Sequence, residues 1–89
     1  MLVLPNELTH SQATACLALL LQGLRTHSQT QVVLDASSLI RFDSAALAVL
    51  LEFRRESLAV GKHFSIRGMP VRLHDLAALY GIADLLPAD

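Results

Sequence analysis

Hydrophobic positions recur with helical spacing in the first third of the chain. Apolar residues stand at intervals of three and four over residues 11–25, behind Thr9 and Gln12 at the spacing of a capping box. This pattern predicts a first helix over residues 11–25. A short apolar run at residues 2–4 comes before it and ends at a proline, which favours a brief strand.

Two later segments have the pattern of strands. Residues 31–36 form a nearly continuous apolar run, which is typical of a central parallel strand. Residues 63–67 alternate instead, so that Phe64 and Ile66 share one face. The polar segment at residues 27–30 has the composition of the turn that comes before the first of these strands.

Two further helices are predicted in the second half of the chain. The second helix begins after Asp43, a favoured N-cap residue, and continues to about Val60, with Gly61 as a left-handed terminator. The third helix begins at Pro70 and is ended by Gly81. Its expected apolar stripe comprises Leu73, Leu76, Ala77, Leu79 and Tyr80.

The resulting order of elements alternates strand and helix three times. This order predicts an α/β fold, in which a mixed and mostly parallel sheet has helices packed on it. The sequence has no internal repeat, low-complexity tract or linker. We therefore expect residues 1–89 to form a single domain.

The most informative segment is residues 45–51, which carries no polar side chain although it opens a helix. Because successive helical residues turn by about 100°, some of these positions must face away from the core. On a helical wheel the outward side comprises Ala45, Ala48, Val49, Glu52 and Arg55. The inward side comprises Ala46, Leu47, Leu50 and Phe53.

Small apolar side chains beside a charged rim are ordinary features of a protein interface, so the outward side is a candidate partner surface. A second interpretation has equal weight. Neighbouring loops could cover Ala45, Ala48 and Val49, or alanine could serve only as a good helix former.

Ser44 places a hydroxyl at the start of the same helix, where unpaired amides and the helix dipole favour negative charge. Serine is itself a common N-cap, but Asp43 already supplies one. The candidate site therefore joins Asp43 and Ser44 to the outward side of the helix, with Ser44 as a candidate phosphorylation site.

Composition and charge narrow the possible functions. With 53% hydrophobic residues in a chain of 89, there is more apolar surface than one small core absorbs, which favours association. A net charge of −1 gives no basic footprint for nucleic acid or anionic lipid. The single Cys16 excludes an internal disulfide, and a basic leader is lacking, so we expect a cytoplasmic protein. The apolar runs are too short to span a bilayer.

The sequence offers no constellation for catalysis, metal binding or cofactor binding. Its glycines never cluster into a phosphate-binding loop, so we expect no nucleotide site. A hydrolase that uses Ser37 or Ser44 is disfavoured, because no general base accompanies either serine. Four histidines lie in four different elements without the spacing of metal ligands, namely His10, His27, His63 and His74.

Several of these segments carry a family resemblance. Leu-Asp at residues 34–35, followed by Phe-Asp-Ser-Ala-Ala-Leu-Ala-Val-Leu-Leu at residues 42–51, resembles the signature of STAS domains. Glu-Leu-Thr at residues 7–9 extends the match, and residues 79–87 are most similar to the STAS subunit of Mla-type phospholipid ABC transporters. This chain has Ala46 where antagonist members carry glycine, and the first strand of the family is missing.

The resemblance implies a small STAS-like fold without enzymatic activity, in which the start of the second helix and Ser44 meet a partner. In the leading interpretation this partner is the cytoplasmic ATPase subunit of a lipid-transport ABC complex, which would hold the protein on the cytoplasmic side of the inner membrane. In the alternative, the partner is a kinase-like anti-sigma factor that phosphorylates Ser44.

Overall fold

The computed structural model describes residues 2–89 and shows three helices and five strands in an α/β arrangement. A short 3₁₀ helix, Ala83–Leu85, follows the last α-helix. The strands are β1 Leu2–Val3, β2 Glu7–Leu8, β3 Gln31–Asp35, β4 Arg41–Phe42 and β5 His63–Arg67. The helices are α1 His10–Arg25, α2 Ser44–Ala59 and α3 Val71–Leu79. The predicted α/β fold is confirmed.

The main sheet has the strand order β1-β3-β5, and every strand pairing within residues 2–89 is parallel. The strand order advances in one direction while α1 and α2 form the connections. Right-handed crossovers therefore place these two helices on the same face of the sheet. In agreement, α1 packs against α2, and α2 packs against α3. The helices form one layer in which α2 is central.

The core lies between this helical layer and the sheet. Phe53 of α2 is fully buried and meets Phe64 of β5 edge to face, with the ring centroids 5.9 Å apart. Phe64 and Ile66 are both buried, which confirms their predicted common face. On β3, Val32 and Leu34 are fully buried, and the residues that alternate with them are more exposed.

The end of the chain closes one edge of the sheet. The amide of Ile66 donates to the carbonyl of Pro87 at 2.8 Å, and the amide of Asp89 donates to the carbonyl of Ile66 at 2.9 Å. These bonds place residues 87–89 beside β5 in a parallel direction. Arg67 strengthens the contact, because its Nε lies 2.9 Å from the carboxylate of Asp89.

Most of the predicted boundaries agree with the structure to within a residue or two. α2 ends at Ala59, and Gly61 has a φ of +78°, as expected of a left-handed terminator. Gly81 likewise has a φ of +74° after α3. Pro70 lies one residue before the helix that it was predicted to open.

The predicted apolar stripe of α3 is wrong at its end. Leu73 and Ala77 are fully buried, but Leu79 is 81% exposed and Tyr80 is 59% exposed. Leu79 lies two residues beyond Ala77, about 200° around the helix axis, so it leaves the buried side. Tyr80 follows the last helical residue. The end of α3 is therefore an exposed apolar surface and not part of the core.

The loops that follow β3 and β5 approach each other closely at Ser37 and Gly68. A Cβ atom on Gly68 would lie 2.8 Å from Cβ of Ser37, and the φ of Gly68 is +68°. Gly61 has a similar φ of +78°, but a Cβ atom there would meet nothing within 4 Å. We expect Gly61→Ala to cost about 1 kcal/mol and Gly68→Ala about 2 kcal/mol, because only the second adds a steric clash to the backbone strain.

Urea unfolding of both glycine variants measures this difference. Equal losses would contradict the close approach of the two loops at Ser37.

Candidate functional site

The candidate site begins with a second, very small parallel sheet that the sequence analysis did not identify. Strands β2 and β4 pair with Glu7 opposite Arg41 and Leu8 opposite Phe42. β2 leads through one residue, Thr9, into α1, and β4 leads through one residue into α2. The two strand-to-helix junctions therefore lie side by side, and so do the two helix N-termini.

Polar side chains hold the first junction. Gln12 Oε1 accepts hydrogen bonds from the Thr9 amide at 2.7 Å and from the Thr9 hydroxyl at 2.6 Å, so the predicted capping box is confirmed. The side-chain amide of Gln12 donates to Glu7 at 2.8 Å. Glu7 also faces Arg41 across the small sheet at 3.9 Å. These contacts fix the start of α1 against β4.

Asp43 connects the two junctions. Its Oδ1 accepts a hydrogen bond from the amide of Ala45 at 2.8 Å, which confirms Asp43 as the N-cap of α2. Its Oδ2 accepts a hydrogen bond from the amide of His10, the first residue of α1, at 3.0 Å. One carboxylate thus satisfies unpaired amides of two helices, and its negative charge lies at the positive end of both helix dipoles.

This arrangement leaves Ser44 free of a structural role as a cap. Ser44 is the first residue of α2 and is exposed, and within the described chain its hydroxyl makes no hydrogen bond. The prediction that Asp43 alone supplies the cap is therefore confirmed. The Ser44 hydroxyl is accessible from solvent at the positive end of α2.

In the structure, the residues on the predicted outward side of α2 differ in their exposure to solvent. Ala48 is exposed and Ala45 is half-buried, so the structure supports the outward placement of Ala48. Val49 is only 3% exposed, and its predicted exposure is wrong. The cover comes from α1, which packs along α2 and leaves a groove of about 270 Å³. This α1–α2 groove is lined by Ala13, Thr14, Leu17, Ala48, Val49 and Glu52.

The inward side of α2 agrees with its prediction, since all four residues are buried, namely Ala46, Leu47, Leu50 and Phe53. The interpretation in which neighbouring parts of the chain cover the apolar run is thus right for Val49 and wrong for Ala48. A helix, and not a loop, covers Val49, while Ala48 stays open to solvent.

A charged rim continues the outward side beyond Ala48. Arg55 donates from Nε to Glu52 at 2.9 Å and from a terminal nitrogen to Glu56 at 2.7 Å. The hydrogen bond from Arg55 lowers the pKa of the Glu52 carboxyl below its usual range, and the bond to Glu52 raises the pKa of Arg55. Glu52 and Arg55 therefore both stay charged near neutral pH.

The remaining candidate residues do not join this site. The amide of Ser37 donates to the carboxylate of Asp35 at 2.9 Å, which confirms a turn at this serine. Hydrogen bonding from Ser37 also lowers the pKa of Asp35. Within residues 2–89, no three histidine, cysteine, aspartate or glutamate side chains come together as a possible metal site.

Two features of the site were missed by sequence reasoning. Strands of two residues are too short to show an alternation of apolar and polar positions, so the sequence did not indicate β2 and β4. The one feature that could have indicated their pairing is the opposite charge of Glu7 and Arg41, each of which comes shortly before a helix cap. The bond from His10 to Asp43 joins residues 33 positions apart, and no local pattern indicates it.

The shared carboxylate predicts an unusually large effect of substitutions at Asp43. Asp43→Ala removes the cap of α2 and the acceptor for the first amide of α1, and it should lower the free energy of unfolding by about 2 kcal/mol, as measured by urea unfolding. Asp43→Asn keeps one carbonyl oxygen and should lose about half as much. Ser44→Ala, as the control, should change it by less than about 0.5 kcal/mol. An Asp43→Asn protein as stable as the unmodified protein would show that the bond to His10 contributes nothing.

Comparisons with known proteins identify the family to which the chain belongs. A search of curated proteins found no match. No helix within residues 2–89 is long and apolar enough to cross a membrane. A family model described as "Mlab, STAS domain" matches residues 1–87, nearly the whole chain. STAS domains are generally non-catalytic and act through protein–protein interactions. The chain therefore belongs to the MlaB-like family of STAS domains.

Proposed function

We propose that this protein is a non-catalytic STAS subunit that docks on the cytoplasmic ATPase of an Mla-type, lipid-transporting ABC complex and supports its activity. The protein would lie in the cytoplasm and reach the inner membrane only through this partner. The MlaB-like character of the match over residues 1–87 supports this choice among the partners of STAS domains.

The observation that carries the proposal is that two neighbouring polar residues at the start of α2 differ in their role. Asp43 has a structural role as a cap, and Ser44 has none. The carboxylate of Asp43 caps α2 and also accepts a hydrogen bond from the first amide of α1. Ser44 and Ala48 lie one turn apart on the same helix and are both exposed, and the Ser44 hydroxyl makes no hydrogen bond within residues 2–89. A polar group and a small apolar group are thus presented on a rigid helix end.

The surroundings of these two residues suit docking. Ala48 borders the α1–α2 groove, where a small side chain lets a partner approach the helix closely. The Glu52 and Arg55 pair forms a polar rim next to this apolar centre, as at many protein interfaces. Ala45 and Asp43 would lie at the other border of the contact, beside Ser44.

We infer that the protein has no catalytic centre of its own. The amide of Ser37 donates to the carboxylate of Asp35 within a turn, and hydrogen bonding from Ser37 lowers the pKa of Asp35, which makes this carboxylate a weaker base. ATP hydrolysis in the complex would therefore belong to the partner.

Ala48→Glu tests the docking surface directly. Because Ala48 is exposed, the variant should fold, with a cost of no more than about 0.5 kcal/mol from the like charge of Glu52 one turn away. An unpaired carboxylate in a desolvated contact costs several kcal/mol, so binding to the Mla-type ATPase of the source cell should weaken by about 100-fold or more. Calorimetric titration measures the affinity.

Two controls accompany Ala48→Glu. Ala48→Gln has the same size without the charge and separates steric from electrostatic loss. Leu50→Glu is on the buried side and should unfold the domain. An Ala48→Glu protein that melts as low as Leu50→Glu would contradict the exposure of Ala48, and normal binding would place the contact elsewhere.

A second candidate function rests on the free hydroxyl of Ser44. In this function the protein is an anti-sigma factor antagonist whose partner is a kinase-like regulator. A phosphate on Ser44 would be favoured by the helix dipole by about 0.3–1 kcal/mol and would place negative charge in the middle of the contact. Phosphoserine at this position in cells, rising and falling with sigma-factor activity, would favour this function. Its absence, with co-purification of an ATPase and a permease, would favour the transporter.

A further inference from the structure

The main sheet has two outer edges, and they differ in how the chain covers them. Residues 87–89 pair with the outer side of β5. β1 pairs with β3 on its inner side, and no strand within residues 2–89 pairs with its outer side. An uncovered edge exposes backbone amides and carbonyls that can pair with a strand of another molecule. Within the described chain, β1 therefore carries the free edge of the main sheet.

The backbone of Val3 supplies the free hydrogen-bonding groups at this edge. The amide of Leu4 donates to the carbonyl of Asp35 on β3 at 2.8 Å. Because successive residues of a strand point their backbone groups to opposite sides, the amide and the carbonyl of Val3 point away from β3. Val3 is also 58% exposed. It can therefore both donate to and accept from a strand that lies beside β1.

Helix α1 continues this edge with an exposed apolar side. Gly23 lies over β1, since a Cβ atom on Gly23 would come within 2.6 Å of the side chain of Leu2. Leu19 and Ala15 precede Gly23 by four and eight residues, so they lie on the same side of α1. Leu19 is 69% exposed, and Ala15 is exposed as well. We name Val3, Ala15, Leu19 and Gly23 the β1 edge surface.

The β1 edge surface carries no charge. Residues 2–6 and 11–24 contain no aspartate, glutamate, lysine or arginine, although α1 is exposed along one side. Sheet edges that remain unpaired are commonly protected by charged side chains, above all lysine. An uncharged surface can also meet its own copy without like-charge repulsion, which opposes the self-association of a charged patch. The lack of charge therefore favours a second copy of this chain as the partner.

The geometry of the β1 edge surface is self-complementary. Two directly opposite residues of an antiparallel strand pair can exchange two N–H···O bonds. When Val3 lies opposite the partner's Val3 on a two-fold axis, the free amide and the free carbonyl of each copy are both satisfied. A contact in which the same surface of both copies meets itself is the kind that forms a symmetric dimer.

The same axis brings the two α1 helices together. α1 connects parallel strands, so it runs antiparallel to β1. One strand residue rises about as far as two helical residues, so the step from Leu2 to Val3 moves the axis to about two residues before Gly23. Leu19 then falls beside the partner's Gly23, because the helices run in opposite directions. A large side chain thus meets the smallest residue, which lets the helices approach closely.

We propose that two copies of this chain form a symmetric dimer through the β1 edge surface, in which their three-stranded sheets join into one continuous sheet. The pairing uses the free edge of each copy, and residues 87–89 cover the other edge, so the assembly closes at two. Leu19 lies about 200° around α1 from Leu17, which lines the α1–α2 groove. The dimer therefore leaves Ala48 accessible, and the inference is independent of the proposed function.

Sedimentation equilibrium of the unmodified chain tests the dimer. Between about 10 μM and about 1 mM, the average mass should rise from that of one chain, 9.7 kDa, toward twice that value, because a small interface binds weakly. Leu19→Lys places like charges in the contact and should weaken the dimer about tenfold or more. Leu19 is exposed, so this variant should keep the melting temperature of the unmodified protein. Leu79→Lys, at an 81% exposed leucine of α3, is the matched control and should dimerise normally.

Hydrogen exchange at Val3 tests the strand pairing itself. The Val3 amide should exchange rapidly in dilute protein and about tenfold or more slowly in concentrated protein, because its hydrogen bond forms only in the dimer. The Leu4 amide, which donates to Asp35 within the same chain, should be protected at both concentrations. Val3→Pro removes the amide and should weaken the dimer as Leu19→Lys does.

Four results would overturn the inference. The first is a mass of one chain at every concentration, and the second is an equal weakening by Leu79→Lys and Leu19→Lys. The third is a dimer in which the Val3 amide stays unprotected. The fourth is protection of Val3 only after another protein is added, which would assign the edge to a strand of that protein. Binding to the ATPase is measured separately with Ala48→Glu, so the failure of either proposal leaves the other standing.

Discussion

The interaction on which the site depends is the hydrogen bonding of one carboxylate, Asp43, to the first turns of two helices. Helix N-termini carry unpaired amides and a partial positive charge, so two of them side by side repel one another unless an anion lies between them. Asp43 supplies this anion from within the chain, and the Glu7 to Arg41 contact holds the strands that lead to both helices. Because Asp43 caps α2, the fold does not need the Ser44 hydroxyl as a cap.

Much of the fold could be predicted because its signals are local. The capping box of Thr9 and Gln12, the N-cap at Asp43 and the left-handed glycines after α2 and α3 each depend on a few neighbouring residues. The period of the apolar positions likewise gave α1, β3 and β5 nearly to the residue. Such signals also agree with one another, which is the condition under which sequence reasoning succeeds.

The misses arise where a distant element decides the environment. A helical wheel describes one helix, and it cannot know that α1 will lie along α2 and bury Val49. Leu79 shows the opposite error, because an apolar residue near a stripe was assigned to the core although no element covers it. The candidate site was therefore found at Ser44 and Ala48, whereas the groove that α1 forms beside Ala48 was visible only in three dimensions.

The tail at residues 87–89 has a consequence for the kind of complex this fold accepts. An uncovered strand edge offers unpaired amides and carbonyls, which invite strand addition and aggregation. Here the outer edge of β5 is already hydrogen-bonded to the tail, and Arg67 anchors it through Asp89. A peptide that added to the sheet at this edge would have to displace three ordered residues and an ion pair. The β5 edge is thus protected against strand addition and amyloid-like growth.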